Sequence, residues 1–430
     1  MANNFDSNFT RKLARVFLKG FECERVHSKN VDTQLLKVGG GFKPDTGDTI
    51  DFKRPTDYVS SRTANGDISS GTATSIITGK ASGVVQDYFT VEVDYDEADE
   101  AIKMDQLEQL LQPAARRIVT DMELDFTSFM MRNTALLAGA PGTAATTWDH
   151  IAEAGSVMQS AGVPMDSPWC YTVNPYTQRK LASDQRSLGA GGSAGGIITE
   201  AHKKAIITSN FAGFDSVMTA TTLASYTTGV GADRAGTLSG NPDVTYLAAK
   251  DTMTQVLPVT AFAASMVVPA GQVVQITGRN RLNLATRQPV LDEAGAVVVW
   301  TGTVTTAVTL GASGEGNLIV TGPAINESGG SYNTVDSAPV SGDVITMLGA
   351  AATLLQPNLF WHKQAFSIGS VPIKKLYSTD TVATTQDGLQ IRVSKGASIR
   401  ENKQIVRFDF RPAYGAMNPF FAGQGFGAAA

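Results

Sequence analysis

Apolar residues recur at steps of three and four from Met104 to Thr134, the longest periodic stretch of the chain: Leu107, Leu111, Ala114, Ile118, Met122, Phe126 and Phe129. That spacing lays one apolar stripe along a helix, and Leu110, Val119 and Met130 widen it. Asp105 with Glu108 resembles a capping box, which sets the expected start near Asp105. At about 1.5 Å per residue the helix is about 40 to 45 Å long, more than a compact domain needs. Pro113 interrupts the pattern, removes the bond to the Gln109 carbonyl and predicts a bend or a split. Such a helix is either an ordinary kinked core helix or a spine shared between parts of an extended body.

On either side the periodicity changes. Asn8 to Phe21 sets Leu13, Val16, Phe17 and Phe21 on one helical face and Arg11, Lys12, Arg15 and Lys19 around the rest. This is a basic amphipathic helix, either docked by its apolar face or reaching a partner. A strand is expected over Thr49 to Arg54, then some thirty small polar residues, then alternation from Val84 to Tyr95. Strand, excursion, strand is the pattern of an extended two-stranded loop. With so few apolar residues it cannot pack on its own, so it is either disordered or held by another chain.

Beyond the spine, Thr147 can cap a helix from Trp148 to Ser160 closed by Gly162. A buried strand then leads to Asn174-Pro175, a cap and first-turn pair for a helix from Tyr176. From Ser225 to Gly349 the helical period disappears into short β runs separated by glycine, asparagine and proline turns, as in a small barrel or sandwich inserted into its host. Strands return over Gly388 to Ala397 and Lys403 to Gly415, before a glycine-rich tail.

Composition narrows the function. Charged residues make up 17 % of 430, under the roughly 25 % of an average soluble protein, while the 42 glycines exceed the usual ~7 %. A charge-poor, glycine-rich surface suits a protein largely covered by partners. The net charge of −5 argues against broad phosphate neutralisation, although such a chain can still enclose DNA. No apolar run approaches the ~20 residues of a membrane span, and the N-terminus lacks a signal-peptide core, so a cytosolic protein is expected. Cys23 and Cys170 are too few for a disulfide framework or a thiolate metal site.

Candidate chemistry is weak. Gly191 to Gly195 formally matches a nucleophile elbow, and Gly189, Gly191 and Ala194 a dinucleotide fingerprint, but no strand feeds either turn. The acidic run Asp94, Asp96, Glu97, Asp99 and Glu100 has Ala98 where a calcium loop needs a ligand, so a solvated or salt-bridged turn is expected. His27, His150, His202 and His362 share no ligand spacing. No catalytic residue, cofactor or metal is expected.

The order of several short stretches resembles one family. Ala114 to Arg116 with Met122 to Leu124 is similar to its long helix, and Trp148 through Asn174-Pro175 to the start of its axial domain. Ala212 to Val217 resembles the entry to its insertion, Asn358 to Phe366 the stretch after it, and Ala413 to Pro419 the closing strands. The family is the coat protein of the short-tailed lambdoid Salmonella-phage type, a tailed-phage major capsid protein of the Hong Kong-type fold. The resemblance implies an α+β subunit with an N-terminal arm (1-44), an extended loop with peripheral strands (45-95) and a spine region (96-144). It further implies an axial domain (145-224), a barrel-like all-β insertion (225-349) and a completion of the axial and peripheral domains (350-430).

It also implies a virion shell of pentamers and hexamers, assembled in the host bacterial cytoplasm with a scaffolding protein around a portal protein. That shell expands as double-stranded DNA is packaged, without sequence-specific binding and without a membrane. The charged loop residues Arg54, Asp57, Arg62 and Asp67 are the inter-subunit contact candidates, and Pro113 the candidate spine hinge. The competing reading is a soluble α/β enzyme or ligand-binding protein with a β insertion.

Overall fold

The computed structural model describes residues 5–33, 49–54, 58, 60, 62–69, 76–96, 107–188, 201, 204–371, 373–377, 380–398 and 403–428. They fall into two compact units. The first is drawn from Met1–Ile50, Gly83–Thr127 and Phe366–Gly415; the second from Asp51–Ser82, Ser128–Ala365 and Ala416–Ala430.

In the first unit the basic amphipathic helix runs Phe5–Glu24 and docks by its apolar face. Leu13, Ala14, Phe17 and Phe21 are buried. Phe17 stacks on Phe408 at 4.8 Å between ring centres, and Phe21 meets Phe410 at 5.2 Å. The helix is therefore packed within its own unit. Its partner is an antiparallel sheet in the order Thr381–Thr384, Gln390–Ser398, Lys403–Phe410, Phe89–Asp96. The acidic run expected as a turn thus begins inside a strand, where Asp94 meets Lys403 at 3.1 Å; Glu97, Asp99 and Glu100 lie outside the described residues. Gly83 to Val85 pair with Gly415 to Ala413 in a second sheet.

The spine helix is one continuous element, Leu107–Arg132, with Pro113 inside it. It is not split. Asp105 lies outside the described residues. In this unit the helix buries Ala114, Ala115, Ile118, Val119, Met122 and Phe126, matching the expected stripe and its widening.

The second unit is built on a five-stranded sheet, Leu136–Ala138, Ala422–Gly425, Asn358–His362, Trp169–Val173, Ser216–Thr219. The strands Trp169–Val173 and Asn358–His362 are buried throughout, as expected of central strands covered on both faces. The helix Trp148–Ala161 packs Ile151, Ala154 and Met158 into the same core as Leu136, Tyr171 and Phe360. Gly162 closes that helix at φ 87°, the left-handed conformation glycine adopts without strain. Asn174 caps the next helix, Pro175–Leu188, through Oδ1, which accepts from the Thr177 amide at 2.7 Å.

Within the region expected as an insertion, a closed antiparallel barrel runs Val273–Asn280, Val299–Val304, Gly316–Thr321, Thr254–Thr260, Ala235–Leu238, Val344–Met347. Alternate residues point inward, so Leu257, Val259, Ile276, Trp300, Leu318, Val320 and Ile345 form a core of its own. Full closure removes the exposed edges that so short a set of strands would otherwise present.

The tail read as merely glycine-rich is a sheet strand. Ala422–Gly425 lies between Leu136–Ala138 and Asn358–His362. A Cβ at Gly423 would collide with the Phe360 ring, so glycine there lets the strand press against an aromatic core.

Candidate assembly interface

The long excursion returns beside its start, with Thr49–Lys53 next to Lys80–Val85. Its neck is fixed within the second unit. The Arg54 amide donates to the Gly79 carbonyl at 2.8 Å. Asp51 accepts from Ser82 Oγ and pairs with Lys80 at 2.9 Å; the serine bond and then the lysine hold its carboxyl below the usual range. The Lys80 amide donates to Asp251 Oδ1 at 3.2 Å, and Gly79 lies so close to the Lys250 carbonyl that any Cβ would clash with it.

Arg54 completes the neck from inside. It is buried, and its guanidinium donates to the carbonyls of Met417 (3.0 Å), Lys250 (3.1 Å) and Ala416 (3.4 Å). Burial lowers its pKa to about 10, opposed by Tyr246, Asp251 and Tyr332. The side chain singled out as a surface contact is thus an internal anchor joining three distant segments.

Arg62 and Asp67 behave differently. Residues 62–69 are exposed throughout, and the chain turns at Gly66, φ 74°. The Asp67 amide donates to Asn65 Oδ1 at 3.2 Å, and Asp67 Oδ1 accepts from the Ser69 amide at 2.9 Å. Bonds from the Ser69 side chain and backbone lower the Asp67 pKa. Asp57 lies outside the described residues. The structure therefore brings Arg54 to the neck and leaves Arg62 and Asp67 at the loop's far part.

Apolar side chains accompany them: Tyr58 is 59 %, Ile68 65 % and Ile76 71 % exposed. Isoleucines standing in a polar tract carried that signal, whereas the anchoring by Gly79, Lys250 and Asp251 had no local signature. Pro113 is exposed.

The histidines are dispersed. His27 meets Glu123 inside the first unit, His150 Nδ1 accepts from the Thr146 amide at a helix start, and His362 lies 3.1 Å from Asp166. His202 and residues 189–200 lie outside the described residues. Among the described residues no cluster could hold a metal ion. Cys170 is buried, which pushes its thiol up to about 12. No helix among the described residues is long and apolar enough to cross a membrane.

The described residues thus present a self-contained barrel and, on a clamped neck, an exposed stretch over 62–69. Residues 1–427 match the family model described as P22 coat protein, gene protein 5, and the chain belongs to that family. The major capsid protein of Acyrthosiphon pisum secondary endosymbiont phage 1 is 35 % identical over 430 residues, covering 99 % of this chain and all of the relative. Solved structures give looser likenesses. Mycobacterium phage Che8 has TM-score 0.40 at 10 % identity over 93 % of this chain and 90 % of the other. The capsid of Ralstonia phage GP4 has 0.41 at 8 % over 90 % and 85 %. As a member of the family the chain is a major capsid protein, an α+β subunit of a tailed-phage shell carrying an inserted barrel.

Proposed function

We propose that the subunit forms the pentamers and hexamers of an icosahedral shell, assembled in the host bacterial cytoplasm with a scaffolding protein around a portal protein. The shell matures by expansion and encloses double-stranded DNA without reading its sequence. The chain has no catalytic activity of its own. Its working parts follow the six segments from the N-terminal arm to the C-terminal strands, with Pro113 as the hinge candidate of the spine.

The observation that carries this reading is the loop. Its neck is held by Arg54, Asp51 and Lys80, while Ile68 and Ile76 stand in solvent. Ordering a segment costs entropy that its own contacts must offset, and the described residues 62–69 of this loop are exposed throughout. A neighbouring subunit covering Tyr58, Ile68 and Ile76 supplies them, with Arg62, Asp67 and Asp57 as the polar rim. A closed shell then sums many weak repeats of the contact.

The test is coexpression with the scaffolding protein, followed by sedimentation and negative-stain microscopy. The parent chain should give closed shells. Ile68→Asp with Ile76→Asp should cut shell yield about tenfold or more, since carboxylates buried at an interface without partners are costly, and leave the soluble subunit folded. Shells at parental yield from the double variant would remove the loop from the lattice contacts, and a parent that remains a small oligomer would sink the assembly reading.

A further inference from the structure

The loop beyond the neck carries the only Asn-Gly pair of the chain, Asn65-Gly66. In such a pair the asparagine side-chain amide can be attacked by the next backbone nitrogen, because glycine puts no Cβ in the way and turns freely. Both residues stand in the exposed stretch 62–69, where Gly66 has φ 74° and a Cβ built on it would meet nothing. The stretch can therefore change its backbone without disturbing a neighbour.

Asn65 is also electronically prepared. The Asp67 amide donates to its Oδ1 at 3.2 Å, in an Asx turn, so the oxygen that gains charge during attack already has a donor. Among the described residues neither the Gly66 amide nor Asn65 Nδ2 has a hydrogen-bond partner, which leaves nucleophile and leaving group unengaged. Other asparagines differ. Asn174, Asn241 and Asn418 precede proline, which has no N–H to lose. Asn283 Nδ2 and Asn333 Nδ2 are held by the carbonyls of Ser160 and Glu327, each at 2.9 Å.

We propose that Asn65 is a self-modification site, which converts without an enzyme to aspartate or isoaspartate and so lowers the assembly competence of subunits that stay unassembled. The Gly66 nitrogen, its proton lost to hydroxide, forms a bond to Asn65 Cγ. The Cγ–Nδ2 bond breaks, and Nδ2 takes a proton from water and leaves as ammonia. Water then opens the cyclic succinimide. Cleavage of the ring bond to Cγ leaves an aspartate; cleavage of the bond to the backbone carbonyl carbon leaves an isoaspartate, with the chain running on through Cγ. Nothing is oxidised or reduced, and water is the co-reactant. Arg62 and Asp67 cancel in charge over 62–69, so the new carboxylate leaves this stretch net negative. The consequence for assembly rests on the loop contact proposed above, where a charge on the rim alters association more than folding.

The measurement is peptide mapping by mass spectrometry of the full-length, unassembled subunit during incubation, followed by mixing with the scaffolding protein and sedimentation of the shells. Conversion at Asn65 should speed up roughly five- to tenfold from about pH 7 to about pH 8, as the attacking amide loses its proton more often. Gly66→Ala should slow it about tenfold or more, and Asn65→Gln, whose longer side chain closes the ring poorly, should abolish it. Aged parent subunits should give about half the shells of fresh ones or fewer, while aged Asn65→Gln subunits keep their yield. Asn65 intact after incubation, or converted at the parental rate in Gly66→Ala, would overturn the proposal. So would complete conversion with shell yield unchanged. Mass reports the conversion and the Ile68→Asp with Ile76→Asp variant reports the loop contact, so a failure of one is told apart from a failure of the other.

Discussion

Glu123 occupies the buried side of the spine helix and is 1 % exposed, a position that burial alone makes costly for a carboxylate. Two consecutive residues resolve the cost. The amides of His27 and Ser28 donate to it at 2.8 and 3.1 Å, His27 Nδ1 lies 3.0 Å away, and Ser28 Oγ donates as well. Burial pushes its pKa up, but the bonds and charge of His27 and the bonds of Ser28 outweigh it and hold the group below its ordinary 4.5. A folded pKa below the unfolded one contributes stability that is present above 4.5 and lost as pH falls through the folded value. Glu123→Gln should therefore cost about 2 to 4 kcal/mol in urea unfolding at pH 7, with the gap between variant and parent narrowing as pH falls below the carboxylate range. A gap that stays constant with pH would mean that the charge is not what stabilises the site. None of this was legible in the sequence, where His27 and Glu123 are 96 positions apart and each has only local neighbours. The loop divides in the same way: Arg62 and Asp67 could be read as exposed charges in a polar tract, whereas the anchoring of Arg54 depends on carbonyls at 250, 416 and 417.

Elements with a strong local period were readable, and those defined by distant partners were not. The stripe through Ala114, Ile118, Met122 and Phe126 predicts the buried face of the spine, and Gly162 the end of its helix. Ala422–Gly425 has no such period; its place is set by pairing with Leu136–Ala138 and Asn358–His362 and by Gln424, which donates to the Met131 and Gly271 carbonyls. Pro113 shows the limit of a local rule. It removes one bond, yet the helix continues through it, because the residues that follow bury a full apolar face. Pro113→Ala should restore that bond and raise subunit stability by about 1 kcal/mol or more in urea. If the residue is the spine hinge, the variant shell should also expand at a higher temperature, read by gel mobility of heated procapsids. Unchanged expansion beside a stabilised subunit would leave Pro113 an exposed residue of a continuous helix.

At the scale of the molecule, the β-rich composition of 225–349 announced a separate fold, but not how its host depends on it. The barrel has its own core, so it does not need the host to bury its apolar residues. The host needs the barrel at particular atoms. Asn283 Nδ2 donates to the Ser160 carbonyl and the Leu284 amide to the Ala161 carbonyl, each at 2.9 Å, satisfying acceptors that the helix Trp148–Ala161 leaves open at its C-terminus. Arg281 donates to the Ala135 carbonyl, and Thr303 Oγ1 lies 3.3 Å from Thr134 Oγ1. Removing the insertion thus strips several buried acceptors of their donors at once. Replacing Ser225 to Gly349 by a short glycine-serine linker should lower host stability by about 3 kcal/mol or more, at about 1 kcal/mol for each lost bond, and reduce shell yield in parallel. Urea unfolding followed through Trp169 and Trp361 of the host sheet, with sedimentation of the coexpressed product, separates the alternatives. A host that unfolds at the parental midpoint and assembles at the parental yield would make the barrel an appendage, whereas a weakened host that still assembles would confine its role to folding.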